Sequence, residues 1–135
     1  MSDGAKASGG QPTQRELEIL RVLWDRGEAT VREVYEALRE DLPIVQNTVQ
    51  AFLRTMEEKG LVTHRTEGRS FVYAPTAPRE ATGKTMVSGL LDRVFDGAVD
   101  QLVASALSVR RPGAKELERL RALVEAEEKR RGRKS

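Results

Sequence analysis

Between Thr13 and Gly27 the apolar residues Leu17, Leu20 and Trp24, with Ile19 and Leu23 beside them, recur at intervals of three and four, the stripe a helix turns towards a core. Thr13 and Glu16 have the spacing of a capping box, and Gly27 ends the pattern. The device returns in "TVREVYEAL", where Thr30 and Glu33 cap a short second helix whose inner face is Val31, Val34, Tyr35 and Leu38. Leu42 and Pro43 then break the chain, because the residue before a proline is pushed out of the α region. In "PIVQNTVQAFLRTMEEKGLV" a third stripe, Val49, Phe52, Leu53 and Met56, runs until Gly60, which stands where a left-handed cap belongs. After Gly60 the period changes to two. "LVTHRT" and "SFVYA" read as strands joined through "EGR", a hairpin with Gly68 in its turn.

Three short helices and a hairpin predict a winged helix-turn-helix, in a chain that is mainly α with a small β-hairpin wing. Beyond Ala77 the pattern is helical only. Val87, Leu90, Leu91 and Val94 form one stripe, with Phe95 beside it. Leu102, Val103 and Ala106 follow Val99 in a second, and Leu117, Leu120 and Val124 make a third after Pro112 and Gly113. These stripes are narrow, and Phe95 is the segment's only aromatic residue, so a second copy of the chain is the expected means of burying them. The expected organisation is a disordered tail over 1–11, a winged-helix domain over 12–76, an α-helical dimerisation domain over 77–128 and a basic disordered tail over 129–135.

The third helix carries a second pattern opposite its apolar stripe. Asn47, Gln50, Ala51 and Arg54, with Gln46 and Thr48 at the helix start, are amides, a methyl, a hydroxyl and a guanidinium instead of the Glu and Lys of an ordinary solvated face. In a helix-turn-helix this element lies in the major groove, where amides pair with adenine, Arg with guanine and methyls with the thymine methyl. The bland alternative is a polar helix face with no partner. Glu57 and Glu58, in the last turn, would repel phosphates, so the helix is expected to enter the groove by its N-terminal end. Arg65 and Arg69 of the hairpin are candidates for phosphate or minor-groove contacts. Lys59 and Arg32 are weaker ones.

Composition narrows the rest. With 39% hydrophobic and 33% charged residues the chain reads as globular, and the absence of cysteine removes disulfides and thiolate metal sites. No apolar run approaches the roughly 20 residues that cross a bilayer, and the expected location is the cytoplasm, with no membrane insertion. From Gln11 to Thr76 nine Lys and Arg face eleven Asp and Glu. That balance counts mildly against nucleic acid and keeps open an alternative, a winged-helix module for protein contact without a DNA target. His64, the single histidine, reads as a surface strand residue, and Trp24 and Tyr73 as core anchors. No phosphate loop, metal motif or nucleophile elbow is present. Neither a catalytic residue, a metal site nor a cofactor is expected.

In order, "LEILRVLWDRGEATVREVYEAL", "NTVQAFLRTMEEKGLV", "EGRSFVYAPTAPRE", "LLDRVFDGAVDQLVASAL" and "KELERLRALV" resemble the penicillinase-repressor (BlaI/MecI/CopY) family over roughly Gln14 to Val124. The resemblance implies a homodimeric transcriptional repressor that occludes a dyad-symmetric double-stranded DNA operator and controls antibiotic-resistance or stress genes. It also implies release through a membrane sensor-protease or its downstream protease, by cleavage in the C-terminal region. Thr48 and Val49 match the start of the family's recognition helix, Lys59 and Gly60 its end, and Gly97 the glycine before the second dimerisation helix. Ala51 stands where the family commonly has Thr, and Arg54 is one step earlier than the usual arginine. The Asn-Phe bond cut in staphylococcal-type members aligns with Ser105 and Ala106.

Overall fold

The computed structural model describes residues 11–134; the expected tail over 1–11 therefore lies, up to residue 10, outside the described residues. The elements are α1 (Gln14–Arg26), β1 (Ala29–Thr30), α2 (Val31–Leu38), α3 (Gln46–Glu58), β2 (Val62–Glu67), β3 (Ser70–Pro75), α4 (Arg79–Arg93), α5 (Val99–Val109) and α6 (Ala114–Lys134).

Both capping boxes form. Thr13 Oγ1 accepts from the backbone of Glu16 at 3.2 Å while Glu16 Oε1 accepts from the backbone of Thr13 at 2.9 Å; Thr30 and Glu33 repeat the exchange at 3.1 and 2.9 Å. Each box satisfies donors that a helix start leaves orphaned. The recognition-helix candidate, α3, ends differently. Gly60 takes φ +84°, its N–H donates to Glu57 O at 3.0 Å, and the N–H of Leu61 reaches back to Met56 O at 2.8 Å. This is the Schellman pattern, and it needs a residue free to adopt positive φ. It also turns the chain directly into β2.

β2 and β3 pair antiparallel from Val62 opposite Pro75 to Glu67 opposite Ser70, joined by Gly68 and Arg69, with Gly68 at φ +64°. The sheet has a third strand that the sequence reading left out. β1 pairs with β3, Ala29 opposite Tyr73 and Thr30 opposite Val72, so the order is β1-β3-β2. Two residues are too few to show a period of two, which is why only the hairpin was expected. The fold is a winged helix-turn-helix followed by helices.

Ile19, Leu20 and Leu23 from α1, Val34 and Leu38 from α2, and Val49, Leu53 and Met56 from α3 meet Ala29, Val62 and Tyr73 in one cluster. Each large side chain there contributes roughly 1.5–3 kcal/mol by leaving water. Trp24 is only half-buried at the rim of this cluster; its Nε1 donates to Ala77 O at 2.9 Å, and Arg79 lies over its ring at 5.6 Å and on Asp25 at 3.0 Å. These contacts tie the start of α4 to α1. The chain accordingly divides into one unit ending at Ser88 and another beginning at Gly89, a boundary within α4 instead of at residue 76.

From Ala74 to Gly132 no residue is buried. α4 and α5 are separated by a turn in which Asp96 and Gly97 have φ +52° and +81°. In the second unit Val99, Val103 and Leu107 of α5 face Leu117, Leu120 and Val124 of α6 across an apolar groove of about 610 Å³. α6 runs to Lys134, past the expected end of ordered structure at residue 128. Its last turns are rich in Glu, Lys and Arg, good helix formers, with an ion pair between Arg130 and Glu127 at 3.0 Å, so they continue a helix despite their charge and despite Gly132.

Candidate nucleic-acid interface

α3 buries Val49, Leu53 and Met56 and leaves Gln46, Asn47, Thr48, Gln50, Ala51 and Arg54 exposed. All six are the residues singled out in the sequence, and they lie together on one helix. The start of α3 differs from those of α1 and α2. Val45 caps it with no side-chain hydrogen bond and its first turn holds no acidic residue, whereas α1 and α2 open on Glu16 and Glu33. The positive end of the α3 dipole is thus left open to solvent.

Beside this face lies a cleft of about 320 Å³ whose walls are Gln46 and Gln50 of α3, Thr30 to Arg32 at the start of α2, and Arg69 to Phe71 with Tyr73 of the wing. Phe71 is 46% exposed and Val45 60%. Neither was singled out in the sequence. Phe71 shares a strand face with the buried Tyr73 but stands opposite Thr66, two pairs nearer the hairpin tip, where the core has ended. Its alternation with Tyr73 was the available signal; that it overhangs the cleft depends on how far the wing reaches.

The cations sort into two groups. Lys59 Nζ sits 2.7 Å from Glu16 Oε1, and Arg32 pairs with Glu36 at 3.0 Å. Arg65 lies 2.7 Å from Glu28 and 3.6 Å from Glu67. The hydrogen bond from Arg65 holds the Glu28 carboxyl below its ordinary value, and the same bond raises Arg65. Arg54 and Arg69, by contrast, have no carboxylate partner among the described residues. One is on the exposed face of α3 and the other at the wing tip. Around Arg54, burial pushes the Tyr73 hydroxyl up, the Glu57 carboxylate adds to that, and the Arg54 charge opposes it.

His64 lies on strand β2 and is partly exposed, as expected of a surface strand residue, but it has a partner: its Nδ1 lies 2.8 and 2.9 Å from the two carboxylate oxygens of Glu57. Among the described residues no group of three or more His, Cys, Asp and Glu could hold a metal ion, and no helix is long and apolar enough to cross a membrane.

The model of the penicillinase-repressor family matches residues 12–126. The chain belongs to that family. It is a family of transcriptional repressors with a winged-helix DNA-binding fold, not of enzymes. Among its relatives, the penicillinase repressor of Bacillus licheniformis is 26% identical over 115 residues, covering 85% of this chain and 90% of that one. The transcriptional regulator BlaI of Mycobacterium tuberculosis is 34% identical over 117 residues, 83% of this chain and 82% of that one. A solved structure, of the DNA-binding domain of the repressor BlaI, is similar over 51% of this chain and 84% of that one, at 32% identity and a TM-score of 0.47. The resemblance carried by the five sequence stretches is thus a membership.

Proposed function

We propose that this repressor acts as a homodimer that occludes a dyad-symmetric operator, with α3 of each protomer in a major groove. The observation that carries the reading is the exposed face of α3, whose amides and Arg54 have no hydrogen-bond or ion-pair partner among the described residues and whose helix start is open to an anion. Gln46, Asn47, Thr48, Gln50, Ala51 and Arg54 take the base edges, and Arg69 takes phosphate beside the cleft. Arg65 is drawn into the role only by exchanging Glu28 for phosphate. Pairing of Glu16, Glu28 and Glu36 with Lys59, Arg65 and Arg32 leaves the net balance of the first unit as it is, so the case for DNA rests on where Arg54 and Arg69 stand.

The dimer is formed by the C-terminal helices. Val87, Leu90 and Val94 are exposed, as are Val103, Ala106, Leu117 and Val124, while Leu91, Leu102 and Leu120 are half-buried. A second copy covers them, and pairing makes the second half-site an intramolecular event that offsets the few phosphate contacts per protomer. Release follows loss of that dimer, with a membrane sensor-protease or its downstream protease as the agent.

The test is binding of the purified protein to the intergenic duplex upstream of its own gene and to a scrambled duplex of equal length, at two salt concentrations. The expected result is saturable binding that prefers the native duplex and weakens with salt, log K falling with a slope of about −0.9 per phosphate contact. Absence of preference, under conditions where the dimer persists, assigns α3 to a protein partner instead.

A further inference from the structure

His64 joins three elements through one ring. Besides its contact with both Glu57 oxygens at the end of α3, the ring stacks on Phe71 at 4.1 Å and 22°, and lies 5.4 Å from Tyr73 at a tilt of 49°. The wing is therefore fastened to the last turn of α3 by a side chain that can carry charge. Glu57 is seven residues from Gln50, two turns along the helix, so it stands on the same line of the α3 surface. A carboxylate there faces the phosphates that the amide stripe would bring near. With the ring neutral, its N–H donates to Glu57 and one negative charge remains. With the ring protonated, the pair is neutral.

We propose that His64 is a positioning residue for DNA binding: it seats the wing on the end of α3 and, when protonated, cancels the Glu57 charge beside the duplex. The inference rests on the reading of α3 as the recognition helix. Among the described residues the titratable groups in contact with the ring are Glu57 on α3 and Tyr73 on β3, and Arg54, one turn before Glu57, acts on Tyr73. Glu57 is the only carboxylate in contact with it. A bound phosphate favours the protonated ring, so binding takes up protons and affinity rises as pH falls. A clamp that served packing alone would hold the wing equally at every pH in this range. Because the chain has one histidine, the His64→Gln variant isolates that ring's part in such a dependence.

The experiment is a titration of the full chain with the duplex it prefers, at constant ionic strength, between about pH 7.5 and pH 5.5, where histidine is the side chain that ordinarily changes charge. Wild-type affinity should rise roughly two- to fivefold on acidification, the size expected of one partly screened charge. His64→Gln, which keeps a donor but cannot titrate, should give a flat profile, and Glu57→Gln should bind more tightly than wild type at the high-pH end. Thermal melts of both variants establish that they fold. A flat wild-type profile, or a His64→Gln profile that superimposes on a sloping wild-type one, overturns the proposal while leaving the repressor reading intact. Failure to bind any duplex at any pH overturns both.

Discussion

Among the described residues Glu16 is the one buried charged residue, 2% exposed, and its replacement by Ala should destabilise the first unit by about 2–4 kcal/mol. The figure follows from what its Oε1 accepts. The hydrogen bond from the backbone of Thr13, at 2.9 Å, is half of the capping box, and loss of such a cap costs about 0.5–1 kcal/mol. The bond from Lys59 Nζ, at 2.7 Å, is charge-assisted and contributes about 1.5–3 kcal/mol. Breaking a fully buried pair costs roughly 3–5 kcal/mol because a charge is stranded. Here the Lys59 side chain is 25% exposed and can swing into water, so the larger figure does not apply. Thermal or urea unfolding of Glu16→Ala, Lys59→Met and the double variant measures the pair. At about 4–8 °C per kcal/mol for a domain of this size, the melting temperature of Glu16→Ala should fall by roughly 8–32 °C, with non-additive single effects in the cycle. A loss under about 1 kcal/mol, or additive single effects, would refute the claim that Glu16 fastens the end of α3 to the start of α1.

Two further outcomes are expected. Replacing Leu102 and Val103 by Asp places charge in a stripe that is at most half-buried within one chain, and analytical ultracentrifugation should show monomers with weakened duplex binding; a variant still sedimenting as a dimer places the interface elsewhere. Arg65→Ala should let the Glu28 carboxyl, now held low by the Arg65 hydrogen bond, return towards its ordinary range, which an NMR titration of that carboxyl reads directly. Since a depressed carboxyl adds stability above its unfolded value and loses it on acidification, wild type should lose this contribution at low pH and the variant should have none to lose. An unchanged Glu28 titration would mean the pair does not persist in solution.

Much of the fold was legible because its signals are local. Both capping boxes, the Gly60 cap and the Gly68 turn each depend on residues within five positions of one another, and each forms. The exposed face of α3 was legible for the same reason, since one helix presents all of its residues. What escaped depends on residues far apart in sequence. β1 exists only through pairing with Tyr73 and Val72, and Lys59 is occupied by Glu16, 43 residues away. Arg65 is occupied by Glu28 across 37 residues, and the overhang of Phe71 follows from the length of the wing. His64 lies nearer, seven residues from Glu57, but the Gly60 turn between them is what brings the strand back to the helix. The helical extension of α6 escaped for another reason: a run such as "EEKRRGRK" reads as a solvated tail by charge and as helix by propensity, and propensity prevails in the structure.

The most direct test of the recognition face is the operator preference of Asn47→Ala and Gln50→Ala, measured by competition against duplexes substituted at single base pairs. If these amides bond base edges, each variant should lose roughly 1–3 kcal/mol of discrimination at its own base pair while the Leu53 core beneath stays intact. Unchanged preference at every position in both folded variants would contradict the assignment of α3 to the major groove.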